Sequence, residues 1–250
     1  MPGLNVVAQD YPEDNGSADS AVAAALDAYA AGQGSETAAL AALAASRLLV
    51  PVVAIRAEAA PAEPGGTAAA GLAGDKVAEM ALPTVIGADG RAALPAFTSA
   101  GALTRWRAEV RPVPLSAVQV WQAALQEASA VVIDLAGPMP LAVEGARLAA
   151  LAAGEPAPPP HTDPDVLTVA REVLGRAQPV LTGLRLLPGG ASSDFVLEVW
   201  LAPDRQLGEA AVRQAIERAA AGIMAGTGGR FRRGIEVAVT TRPPGGKIVE

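Results

Sequence analysis

The chain has 250 residues, of which 51% are apolar and only 3% aromatic, and its formal net charge is −7. It contains no cysteine, which excludes disulfides, thiolate metal sites and a cysteine nucleophile. Its single histidine, His161, lies in a proline-rich stretch, so the side chain that most hydrolases use to move protons near neutral pH is almost missing. We therefore expect a protein that is not an enzyme and uses no cofactor and no metal ion.

The distribution of charge and apolar residues narrows the possible partners. No apolar run free of proline, glycine and charge reaches the roughly 20 residues that span a bilayer, and residues 1–20 lack the blocks of a signal peptide. We expect a cytoplasmic protein that binds neither membrane nor, given its acidity, nucleic acid. Residues 1–46 hold six carboxylates and no lysine or arginine, whereas five cations lie within residues 230–247. Opposite charge could therefore draw the two ends together.

The pattern predicts a first domain over residues 1–153. Apolar residues at helical spacing indicate two helices within residues 17–45, the first capped by Ser17 or Asp19. Residues 48–55 are apolar on both faces, as in a buried strand. Because Pro51 cannot donate to a strand ladder, it should mark an edge or a bulge.

The middle of this domain predicts a hairpin followed by a capped helix. Strands are expected at residues 77–86 and 92–97, joined at Asp89-Gly90, a dipeptide typical of tight hairpin turns. Ser99, or alternatively Thr98, stands where the N-cap of the next helix should be.

The rest of the domain alternates between strands and helices. Ser116 should cap a helix that carries Val118, Trp121 and Leu125 on one buried face. The other elements are a strand at 110–115, a buried strand at 130–135, a strand at 141–143 and a helix ending near 153. This alternation predicts an α/β (α+β) fold, with a mixed β-sheet and packed helices in the N-terminal domain.

A proline-rich linker is predicted at residues 154–163, followed by a smaller α+β domain at 164–250. Asp163 should cap its first helix, with Pro164 at the first helical position. The other expected elements are a hairpin of strands 179–187 and 195–201, a long helix with Val212 and Ile216, and a strand at 235–241. The glycine cluster at 226–229 follows this helix, so it indicates a helix C-cap and not a phosphate loop, which would follow a strand.

The segment from Met80 to Trp106 resembles the signature of the SseB family. In that family a strand ends in a triplet like Phe97-Thr98-Ser99, and a tryptophan like Trp106 follows on the next helix. The order of elements after residue 163 also looks like the C-terminal domain that often accompanies the SseB N-terminal domain. The family is named for enhanced serine sensitivity, and its N-terminal domain is also associated with secretion proteins. Neither label is a reaction, so the resemblance implies an interaction or regulatory role.

Two hypotheses for a site follow from the same segment. In the first, an unknown protein partner binds a surface near Phe97, Arg105, Trp106 and Arg111, because tryptophan and arginine dominate interface hot spots.

In the second hypothesis, a small anionic metabolite binds at the Thr98 and Ser99 helix start. A catalytic role for Ser99 is disfavoured, because the Gly-x-Ser-x-Gly elbow and a nearby histidine are both missing.

Overall fold

The computed structural model describes residues 11, 14–55, 79–88, 90–178, 180–202 and 208–240. Along the chain, the elements of the first 140 residues are α1 (Ser20–Ala30), α2 (Glu36–Ala44), β1 (Arg47–Ile55), β2 (Glu79–Ala81), β3 (Val85–Ile86), β4 (Ala92–Ala96), α3 (Ala100–Trp106), β5 (Arg111–Ser116), α4 (Ala117–Glu127) and β6 (Ala130–Ile133). The elements that follow are β7 (Leu141–Glu144), α5 (Gly145–Ala152), α6 (Pro164–Ala177), β8 (Leu181–Pro188), β9 (Phe195–Leu201), α7 (Glu209–Gly226) and β10 (Ile235–Thr240). The predicted α+β fold class is confirmed.

The chain divides into two compact units that do not follow a single cut. The first unit holds residues 1–17 and 47–142, and the second holds residues 18–46 and 143–250. Within the predicted linker, Ala157 is 6% exposed and Asp163 is fully buried. The domain boundary at 154–163 stays a prediction, because compactness does not show which fragment folds by itself.

Strand β1 tolerates its central proline because of the side to which the proline nitrogen points. Leu49 exchanges both backbone hydrogen bonds with Phe97, at 2.8 Å each, on the side away from β5. Pro51, two residues later, directs its nitrogen to that same side, since backbone groups alternate along a strand. It lies opposite Pro112 of β5, and this pair of prolines therefore breaks no bond between β1 and β5. The prediction that Pro51 marks an edge or a bulge was wrong, because β1 is the middle strand of the order β2-β1-β5 and its register with β5 is continuous from Arg47 to Val52.

The strand predicted at residues 77–86 is two short strands. Strand β2 pairs antiparallel with β1, whereas β3 pairs antiparallel with β4. Pro83 lies between them and has no N–H to donate, which explains the interruption. The predicted pairing of β3 with β4 is confirmed, with Gly87 N–H donating to Arg91 O at 2.9 Å, while Asp89 lies outside the described residues.

Helix α4 buries a face that differs in part from the predicted one. Trp121 is fully buried as expected, but Leu125 is 52% exposed, so its assignment to the buried face was wrong. The side chains that are buried on this helix are Ala117, Val120, Trp121, Ala123 and Ala124. The buried face is thus formed largely by small alanines. Their size lets α4 pack closely against β1, β4, β5 and β6.

The second unit contains a three-stranded sheet in the order β10-β9-β8, antiparallel between β8 and β9 and parallel between β9 and β10. Helices α6 and α7 pack on each other, and their apolar faces join the sheet in one core in which Phe195 meets Phe231 edge to face. The predicted glycine turn after α7 is confirmed, because Gly228 and Gly229 both have φ of +68°. Asp163 caps α6 as predicted by accepting from Asp165 N–H at 2.9 Å.

Candidate functional site

The triplet Phe97-Thr98-Ser99 lies at the carboxyl end of β4. Strand β4 runs parallel to β6, with Ala96 opposite Ile133 in the register. The next residue of each strand, Phe97 after β4 and Asp134 after β6, therefore leaves the sheet at the same edge. In α/β proteins this edge is where binding groups commonly meet, so the polar side chains here are the first to consider.

Asp134 and Thr98 form a closed pair at this edge. One carboxylate oxygen accepts from Thr98 N–H at 2.9 Å, and the other accepts from the Thr98 hydroxyl at 2.7 Å. Asp134 has a φ of +50°, a left-handed conformation that aspartate tolerates better than most residues. Thr98 is 7% exposed, so the pair satisfies polar groups that would otherwise be buried without partners.

Two N–H donors at the start of α3, those of Ala100 and Ala102, are also engaged. Ser99 is the N-cap, as predicted, and its hydroxyl accepts from Ala102 N–H at 3.1 Å. Ala100 N–H donates to Gly16 O at 2.8 Å. An anion at this helix start would have to displace these contacts and approach the carboxylate of Asp134, so the geometry disfavours the predicted metabolite site at Thr98 and Ser99.

The guanidinium of Arg47 ties this edge to the chain that precedes it within the same unit. It donates to Thr98 O at 2.6 Å, to Ser17 O at 2.5 Å and to the carboxylate of Asp14 at 2.8 Å. The hydrogen bond from Arg47 lowers the pKa of Asp14 below its ordinary value. The polar groups of Arg47, Asp14, Thr98 and Asp134 thus bind one another or the backbone. We therefore interpret the triplet as a structural junction.

We expect Ser99→Ala to lower the free energy of unfolding by roughly 0.5–2 kcal/mol, because it removes an N-cap. Denaturation in urea measures this loss. If function, once assayed, fell while stability stayed at the wild-type value, Ser99 would contact a ligand and the cap explanation would be insufficient.

The side chains that follow the triplet do reach the surface. The ring of Trp106 is partly exposed and lies 5.5 Å from the Phe97 ring, with the guanidinium of Arg107 over its centre at 4.8 Å. Phe97 is fully buried with Leu49 and Leu103, so its predicted place in a contact surface was wrong. Its role is to support Trp106 from beneath.

Exposed arginines lie on either side of this ring in the sequence. Arg105 and Arg111 are both exposed, and Val110 packs on the same small apolar cluster as Trp106. These exposed residues flank the cluster within seven consecutive positions, and we name them the tryptophan–arginine surface (Arg105, Trp106, Arg107 and Arg111). This surface contains three of the four residues predicted for partner binding and adds Arg107, which the sequence analysis missed.

A second polar feature, which the sequence analysis also missed, is buried in the second unit. Glu36 is 2% exposed, and its two carboxylate oxygens bind Arg147 and, at 2.8 Å, Arg230. Arg230 also donates to Asp163, which is fully buried, at 2.7 Å. These four residues, the buried ion network, have no net formal charge. The predicted attraction between the acidic and basic ends is realised here by Glu36 and Arg230.

The surroundings of the buried ion network shift the pKa values of its two arginines and of the neighbouring Tyr29. Burial lowers the pKa of Arg147, whereas for Arg230 the effect of burial is exceeded by Glu36 and Asp163, which raise its pKa. Tyr29 donates its hydroxyl proton to Arg230 O at 2.6 Å, and burial together with the charge of Glu36 raises the pKa of this phenol. Each charge has a buried partner of opposite sign, so the network links α2 and α5 to the start of α6 and the segment after α7.

A signal for the buried ion network was present in the sequence. Glu36 and Arg147 are each the one charged residue of an otherwise apolar, alanine-rich helix, α2 and α5. A lone charge in such a helix indicates a buried partner, because Glu and Arg are almost never fully buried unpaired.

Other candidate chemistry is sparse in the part of the chain that the structure describes. His161 is half-buried in the turn before α6. Over those residues, no group of three or more histidine, aspartate or glutamate side chains could hold a metal ion. Among the described helices, none is both long and apolar enough to cross a membrane.

Comparison with known proteins adds one finding. The family model of the SseB protein N-terminal domain matches residues 22–150, which is just over half of the chain. No curated protein and no solved structure matches the chain. The match runs from α1 to α5 and includes both the Phe97-Thr98-Ser99 triplet and Trp106.

Proposed function

The chain belongs to the SseB family, and from this membership we propose that it is a non-enzymatic, cytoplasmic protein-interaction or regulatory module that contributes to the serine-sensitivity phenotype. The proposal treats residues 164–250 as the SseB-like C-terminal domain. The non-enzymatic part of the proposal is supported by the residue types that the chain lacks. The chain has one histidine and no cysteine, and the acids nearest to the signature triplet are engaged by Thr98 and Arg47.

The observation that carries the proposal is the partial exposure of Trp106. A large ring at the surface costs solvation free energy unless a partner covers it, and aromatic residues are only 3% of this chain. Phe97 below and Arg107 above hold the ring in place before binding, so little conformational entropy remains to be lost. Tryptophan and arginine are also the residues that most often supply binding energy at interfaces.

The alternative function, regulation by a small anionic metabolite, is not favoured by any contact at the triplet. Asp134 occupies the N–H and the hydroxyl of Thr98, and Ser99 is occupied by its own helix. A thermal-shift titration with serine and phosphorylated metabolites tests this alternative. A concentration-dependent rise in Tm that Ser99→Ala abolishes would restore it.

Affinity capture from cell extract with the full-length chain tests the proposed surface. We expect Arg105→Glu combined with Arg111→Glu to reduce the yield of a specific partner by about tenfold or more, since each change replaces an exposed attractive charge with a repulsive one. Both side chains are exposed, so the Tm should stay near the wild-type value.

The matched control is Arg171→Glu with Arg213→Glu. These arginines are exposed on α6 and α7, and the double substitution changes the net charge by the same amount. If both double variants retrieved the partner at wild-type yield, the tryptophan–arginine surface would not be the interface. Loss with both would show a dependence on total charge only.

A further inference from the structure

The arginines of the tryptophan–arginine surface differ in their partners from five other arginines in the described part of the chain. Five arginines have a largely buried or partly buried carboxylate partner: Arg47, Arg147, Arg185, Arg230 and Arg233. By contrast, the ion pairs among the described residues include none with Arg105, Arg107 or Arg111. Three guanidinium groups without such a pair thus lie within seven consecutive residues.

This concentration is unusual for an acidic protein. The segment 105–111 contains one carboxylate, Glu109, against three arginines, which leaves a local formal charge of +2 in a chain of net charge −7. Like charges this close repel one another, and the repulsion is relieved when an anionic group binds between them. The patch is therefore complementary in charge to an acidic segment and not to the average surface of this protein.

The geometry of Trp106 and Arg107 adds a chemical preference. The guanidinium of Arg107 lies 4.8 Å from the centre of the Trp106 ring, and the N–H donors of a guanidinium lie in one plane as a rigid fork. Such donors match the two oxygens of a carboxylate, and the exposed part of the Trp106 ring offers apolar contact to a neighbouring side chain. The patch thus combines carboxylate recognition with one apolar position.

We propose that the tryptophan–arginine surface binds an acidic peptide segment of a partner protein, with aspartate or glutamate side chains on Arg105, Arg107 and Arg111 and an apolar side chain against Trp106. The inference rests on the proposed function and specifies the chemistry of its partner. It places the contact away from the helix start at Ser99, where the N–H groups of Ala100 and Ala102 already have acceptors within the protein.

Tryptophan fluorescence of the full-length chain gives a direct test. Trp121 is fully buried and Trp200 is 3% exposed, so quenching by added acrylamide reports mainly on Trp106. We expect a poly-glutamate peptide to protect this emission, and the apparent Kd to weaken steadily as salt rises, because exposed charges are screened. The neutral probe is poly-glutamine, which should give no protection.

Two variants with the same net charge make the test specific. Arg105→Glu with Arg111→Glu should weaken poly-glutamate binding by about tenfold or more, whereas Arg171→Glu with Arg213→Glu should leave it unchanged. Equal loss in both variants, or no protection in the wild type, would overturn the proposal. A single-stranded DNA oligonucleotide that protects Trp106 as well as poly-glutamate does would also overturn it, in favour of general polyanion binding.

The interface and the acidic character of its ligand can be rejected separately. Partner capture that depends on Arg105 and Arg111, combined with no binding of poly-glutamate, would retain the interface and reject its acidic ligand. Capture that ignores both arginines would reject the interface itself.

Discussion

Glu36→Gln is expected to lower the free energy of unfolding by about 3–5 kcal/mol, the usual cost of removing one partner from a buried ion pair. The amide keeps the shape of the side chain but leaves Arg147 and Arg230 facing a single buried carboxylate, that of Asp163. Urea denaturation measures the change, and a shifted midpoint with an unchanged slope would attribute it to stability alone.

Glu172→Gln is the matched control for this substitution. Glu172 also pairs with an arginine, Arg176, but at 3.4 Å and with side chains that are 60% and 76% exposed. Removing this pair should cost less than about 0.5 kcal/mol. A similar effect from both substitutions would show that the burial of the ion network has no particular energetic role.

Asp134→Ala should have the second-largest effect, a loss of about 3 kcal/mol. Two hydrogen bonds to a charged acceptor disappear, leaving the backbone N–H and hydroxyl of the buried Thr98 without partners, and alanine is strained at the φ of +50°. Asparagine keeps one acceptor and tolerates this backbone conformation, so Asp134→Asn should lose much less.

A double-mutant cycle with Thr98→Val separates the two contributions. If the effects of Asp134→Ala and Thr98→Val are strictly additive, the side-chain hydrogen bond between them contributes nothing. Coupling of about 1 kcal/mol or more would show that the pair acts as one junction between β4 and β6.

Features encoded within three or four residues could be predicted from the sequence. The caps at Asp19, Ser99 and Asp163 follow from side chains that accept from N–H groups two or three residues further on, and all three are present. Pro83 has no N–H to donate, so it is a local signal of the same kind for the break between β2 and β3. The predicted buried face of α4 was partly wrong because leucine is a stronger hydrophobic signal than alanine. The helix nevertheless buries its alanines and exposes Leu125.

Contacts between residues that are distant in the sequence could not be predicted from such local signals. Asp134 follows one strand and Thr98 another, and only the parallel register of β4 and β6 brings them together. The sequence indicated a tryptophan flanked by arginines, but not that Phe97 lies beneath the ring or that Arg107 lies above it. These relations depend on tertiary packing, which local periodicity does not encode.

The division of the chain has a consequence for synthesis on the ribosome. Residues 18–46 belong to the second unit, yet the whole segment 47–142 of the first unit is translated before the rest of the second unit appears. Glu36 gains its first arginine partner, Arg147, 111 positions later and its second, Arg230, 194 positions later, and Tyr29 of α1 also waits for Arg230 O. The first unit can therefore fold early, whereas the second can complete its folding only after Arg230 has been translated.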